Sequence, residues 1–88
     1  MRLISQDGKA DVPYETSIVM IMKAGKTDHN IYAMTSERNI LMGAYTSLDA
    51  AMYEMNRVRT SAISGCKVFY FTRITDDEYD PTITETRR

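Results

Sequence analysis

Tryptophan is absent from this chain of 88 residues, and cysteine and histidine occur once each. Each scarcity removes a class of function. A lone Cys66 excludes an internal disulfide framework and fits a reducing compartment. Zinc needs three or four ligands at compatible spacing, which one histidine and one cysteine cannot supply. With four glycines and two prolines, there is no glycine-rich phosphate loop: Gly43 precedes the expected helix, but no second glycine accompanies it. A net charge of −1 gives no overall field toward nucleic acid or an anionic membrane. The longest apolar run, "IVMIM" at 18–22, falls far short of the ~20 residues that span a bilayer. The opening "MRLISQDG" turns polar after Ile4, too soon for a signal-peptide core. We therefore expect a protein of the cytoplasm, away from membranes and with no cofactor or metal.

What is present is an ordinary globular composition, 43% hydrophobic and 26% charged. A chain this short buries roughly 60–65% of its unfolded surface, so its margin is thin and self-association would help it. "RLISQDGKADVPYE" reads as a hairpin. Asp7-Gly8 suits a two-residue turn in which both central residues take positive φ. Leu3 then opposes Val12, Ile4 opposes Asp11, Ser5 opposes Ala10 and Gln6 opposes Lys9. Pro13 puts the second strand at an edge. Strands follow at 17–23, 31–35 and 40–45, joined by short polar connections that favour an antiparallel meander.

The period then changes. Leu48, Ala51, Met52, Met55, Val58 and Ala62 fall three or four apart, one stripe of an amphipathic helix. Thr46 is placed as its N-cap and Gly65 at its end. "KVFYF" at 67–71 is a last strand with no clean polar face, which places it inside the sheet. The expected fold is α+β: a mostly antiparallel sheet of five to six strands, order β-β-β-β-β-α-β, with one helix on one face. A single domain spans 1–73, and 74–88 is an acidic, Thr-rich tail.

In a half-buried strand alternate side chains are usually polar, yet neither alternate set in "IVMIM" is. One helix covers one side of a sheet, which leaves an apolar second side for another copy of the chain, a foreign protein or the chain's own folded-back hairpin or tail to cover. Val19, Ile21, Tyr32, Met34 and Leu41 are the candidate oligomer-interface residues. A second patch is Tyr53, Asn56 and Arg57 on the helix, although Glu54 and Arg57 also suit simple surface pairing. The acidic run Asp76, Asp77, Glu78, Tyr79 and Asp80 is a third candidate contact, able to engage a basic groove. It lacks the glycine turn and spaced oxygens of a calcium loop. Nucleophilic catalysis needs a base beside the nucleophile. His29, read as a loop residue, and Cys66, read as a buried thiol at a strand edge, offer no such pair. Basic residues are scattered rather than clustered, which gives no nucleic-acid signature.

"MRLISQDG" followed by "DVPYE" resembles the start of many small proteins encoded by Firmicutes phages and integrative elements. "AYTSLDAAMYEMNRVR" resembles their Tyr-Ser-Thr segment and helix, and "VFYFTRITDD" their aromatic strand and acidic segment. Thr46-Ser47 stands here for Ser-Thr, and Val58-Arg59 for Leu-Arg. The resemblance implies a bacterial host cytoplasm and an accessory gene, and carries over no catalytic or binding residue. We expect a non-enzymatic binding protein that occludes a host protein, for example an anti-CRISPR-like inhibitor of bacterial defence. It would act as a homo-oligomer, on a host protein, or both. The alternatives are an oligomer that sequesters a nucleotide-like ligand and a structural accessory protein.

Overall fold

The stretch from "IVMIM" onward folds as the expected meander. In a computed structural model describing residues 1–73, β3 (Ile18–Lys23) pairs antiparallel with β4 (His29–Met34), which pairs with β5 (Asn39–Tyr45). The expected tail at 74–88 lies outside the described residues. Before the meander come β1 (Arg2–Ile4) and β2 (Asp11–Pro13); after it come α1 (Leu48–Ile63) and β6 (Val68–Tyr70). The element order and the α+β class are those expected. The six strands divide into two sheets of three, β2-β1-β6 and β3-β4-β5. β1 pairs antiparallel with β2 and parallel with β6.

The hairpin keeps the expected register, with Leu3 opposite Val12 and Ile4 opposite Asp11. Its turn differs. Only Gly8 takes positive φ, at 73°, and Asp7 does not. The Gly8 amide donates to the Ser5 carbonyl at 2.9 Å. The Asp7 carboxylate accepts from the Ser5 hydroxyl at 2.6 Å and from the Lys9 amide at 2.9 Å. These side-chain bonds offer the backbone an alternative to the tighter two-residue turn. Gln6, freed from opposing Lys9, turns to the other sheet: its amide donates to the Met42 carbonyl at 2.8 Å. β6 is also unlike the expectation. It borders only β1, so it is an edge strand, and Val68 and Tyr70 are exposed while Phe69 is buried.

α1 is capped by Ser47 rather than Thr46. Ser47 has extended backbone angles, and its hydroxyl accepts from the Ala50 amide at 3.1 Å, which satisfies one of the helix's free donors. At the other end Gly65 takes φ 79°. Its amide donates to the Ala62 carbonyl, and that of Cys66 to the Ser61 carbonyl, the paired bonds of a Schellman ending. That turn swings Cys66 outward, so the thiol is exposed rather than buried. The buried face of α1 is Ala50, Ala51, Glu54, Met55 and Val58. It is rotated from the expected stripe, leaving Leu48 and Met52 exposed.

One core joins both sheets and the helix. Leu3, Val12, Phe69 and Phe71 meet Ile31, Ala33, Met42 and Tyr45 beneath the buried helix face. Fully burying side chains such as Leu3, Ile31 and Met42 contributes about 1.5–3 kcal/mol each. β5 carries an irregularity opposite Ile31 and Tyr32 that brings Gly43 opposite Ile31. A Cβ on Gly43 would lie 2.6 Å from the Tyr45 hydroxyl and 2.8 Å from its ring. Glycine is required there because Tyr45 crosses directly over the backbone.

Candidate functional site

The register settles which side chains share the sheet face turned away from the helix. Met20 pairs with Tyr32, which pairs with Leu41; Ile18 pairs with Met34, which pairs with Asn39; Met22 pairs with Asn30. Directly opposed residues lie on one face. Ile18 is 66% exposed, Leu41 46%, Met22 44% and Met20 37%. Among these paired positions the face holds no charged side chain. Val19 and Ile21 lie on the opposite face and pack against the core. The five candidate interface residues are thus divided: Tyr32, Met34 and Leu41 face outward, Val19 and Ile21 inward. The outward alternates of "IVMIM" are Ile18, Met20 and Met22. The sequence signal for them was the same run, but its composition is apolar on both parities and so does not choose between them.

The helix patch is also rearranged. Glu54, read from spacing as a surface partner of Arg57, is completely buried. One of its carboxylate oxygens accepts from Arg57 Nη1 at 2.6 Å. The other accepts from the Thr72 amide at 2.7 Å and from the Thr72 and Tyr45 hydroxyls, each at 3.1 Å. Arg57 also donates to Thr72 Oγ1 at 3.0 Å and lies over the Phe69 ring, 5.3 Å from its centre. Phe69 in turn meets Phe71 edge to face. Burial first, and then the neighbouring Glu54 charge, push the Tyr45 phenol above its ordinary range, so it remains a donor. This arrangement can hold Thr72, just past β6, against α1, and both oxygens of the carboxylate are engaged. Arg57 is therefore occupied by structural contacts. Asn56 is exposed and accepts from Arg59 at 3.0 Å. Tyr53 is partly buried on the same helix. Asp76, Asp77, Glu78, Tyr79 and Asp80 lie outside the described residues.

His29 begins β4 instead of sitting in a loop, with Nδ1 2.8 Å from the Thr27 carbonyl oxygen. The grooves are shallow and open. One is lined by Tyr14, Glu15, Val19, Met55, Val58 and Arg59, with a volume of about 310 Å³. Another, of about 170 Å³, lies between Asp7, Gln6, Met42 and Arg73. In the smaller one the Ser5 hydroxyl meets the Asp7 carboxylate at 2.6 Å, a contact that belongs to the hairpin turn, where the same carboxylate also accepts from the Lys9 amide. Among the described residues no group of three or more potential ligands is placed to hold a metal ion, and no helix is long and apolar enough to cross a membrane. No family model, curated protein or solved structure matches the chain.

Proposed function

We propose that this is a non-enzymatic binding protein that acts by covering part of a host protein, with the outer face of β3-β4-β5 as its contact surface. The observation that carries the reading is the uncharged apolar face formed by Ile18, Met20, Met22, Tyr32, Met34 and Leu41. Strands of six and seven residues at ~3.4 Å rise and ~4.8 Å spacing present a plane of roughly 20 by 15 Å. Apolar patches of this order on a monomer commonly mark a binding site. Three of the side chains are methionine, whose flexible thioether adapts to irregular partners. Origin in a phage or mobile element, with a bacterial cytoplasm as the setting, rests on the resemblance of the N-terminal and helical segments.

The test uses Leu41→Arg, which charges the β5 side of the face while leaving the core and the helix untouched. Affinity capture from bacterial lysates with the wild-type chain should retain a specific protein that Leu41→Arg fails to retain. Thermal stability should be the same for both chains. Capture that survives Leu41→Arg, or none across plausible hosts, overturns the proposal.

A further inference from the structure

The outward edge of β3 raises a question separate from the apolar face. The Ala24 amide donates to the Asp28 carbonyl at 2.8 Å, one position beyond the Lys23–His29 pair. Antiparallel ladders alternate hydrogen-bonded and non-bonded pairs. Met22, Met20 and Ile18 therefore aim their amides and carbonyls at β4, and Val19, Ile21 and Lys23 aim theirs away from the sheet. The bond from the Thr35 amide to the Arg38 carbonyl gives the same parity on β4, whose even-numbered residues face β3. No backbone bond outside the ladders engages the Val19, Ile21 or Lys23 amides among the described residues.

The other edges are closed or short. β2 has three residues and includes Pro13, which has no donor, and Asp11, which pairs with Arg2 at 2.7 Å. β6 also has three residues. The far edge of β5 is taken by Gln6, whose amide donates to Met42 and whose Oε1 accepts from the Ala44 amide at 2.9 Å. β3 has six residues with no proline, glycine or bulge, and its one charge, Lys23, stands at the end. Such an edge is a template for another strand, and native proteins usually block it.

We infer that β3 pairs antiparallel with β3 of a second copy of this chain about a two-fold axis through Met20, making one six-stranded sheet. β3 is complementary to itself in this register. Ile18 opposes Met22 of the second copy, Met20 opposes Met20, and Val19 opposes Ile21, so apolar side chains meet on both faces. Lys23 falls opposite Ser17, and no like charges meet. The free amides and carbonyls of Val19 and Ile21 then become hydrogen-bonded pairs. The outer faces of the two copies join into one surface of twice the width. The inference stands on the edge and not on what the face binds: Leu41 is two strands away, and Leu41→Arg leaves the dimer intact.

The native mass of the full chain, measured from low micromolar to roughly 100 µM, should rise to twice that of the monomer. Over that range hydrogen exchange at the Val19 and Ile21 amides should slow at least about tenfold. In a Cys66→Ser background, Met20→Cys should form an intermolecular disulfide, since non-bonded antiparallel pairs bring Cα atoms to about 4.5 Å. Ile18→Cys should not, because its two copies stand about 14 Å apart along the strands. Met20→Glu and Met20→Lys should each be monomeric alone and pair when mixed. A chain that stays monomeric throughout overturns the inference. So does a dimer whose Val19 and Ile21 amides exchange freely, or one cross-linked by Ile18→Cys and not by Met20→Cys.

Discussion

Glu54 shows how much one side chain can change meaning between sequence and structure. Three residues before Arg57, it reads as half of an exposed pair worth a few tenths of a kcal/mol. Completely buried, it instead accepts from Arg57, Tyr45 and the Thr72 amide and hydroxyl. Glu54→Gln removes the charge that Arg57 balances and turns an amide NH₂ toward groups that are themselves donors. It should destabilise the fold by about 2–4 kcal/mol, read as a lower urea midpoint; a loss below about 0.5 kcal/mol would return the pair to the surface class. Asp7 makes a smaller and pH-dependent contribution. The Ser5 hydroxyl, then the Lys9 amide, hold its carboxyl below the ordinary value. A depressed carboxyl adds stability that is present above the unfolded value of about 3.9 and lost as pH falls through the folded value. Asp7→Asn should therefore flatten the decline of stability below pH ~4, with urea titrations of both chains as the check. An unchanged acid slope would remove Asp7 from that response.

Among the elements, α1 separates what local chemistry specifies from what packing specifies. Its C-terminal end was legible because only glycine takes φ 79° at Gly65 without strain. Its start was legible to within a residue: both Thr46 and Ser47 can cap, and the fold chose Ser47. Ser47→Ala should cost about 1 kcal/mol and Thr46→Ala less than about 0.5, measured by chemical denaturation. Equal losses would mean the cap is shared. The buried face was misplaced by part of a turn. The apolar stripe counts Leu48 and Met52, whereas the core takes Ala50 and Glu54. Small alanines let the helix approach the sheet, and Glu54 is admitted only because Arg57, Tyr45 and Thr72 arrive from elsewhere. No window along the helix contains the Tyr45 and Thr72 partners.

For the whole molecule, the seam between the two sheets is a feature that no hydrophobic pattern announces. Gln6 crosses it: Oε1 accepts from the Ala44 amide, Nε2 donates to the Thr72 carbonyl at 2.9 Å, and its own amide reaches Met42. Gln6→Ala keeps the main-chain bond and loses the side-chain ones. It should cost about 1–2 kcal/mol and speed exchange at the Ala44 amide more than at Ile31 or Ala33. Uniform acceleration across β4 and β5 would mean global destabilisation rather than an opened seam. Strand number, chain order, the hairpin register and the single helix were all legible from residues 1–73, because period, turn chemistry and capping act over a few positions. The division into two sheets, the parallel β1–β6 pair and the exposure of Ile18, Met20 and Met22 were not. Each depends on which distant strand arrives beside which edge, and a run such as "IVMIM" is compatible with either face inward. Local chemistry therefore specified the elements. Long-range packing chose the faces, the open edge of β3 and the burial of Glu54, because those are set by partners far away along the chain.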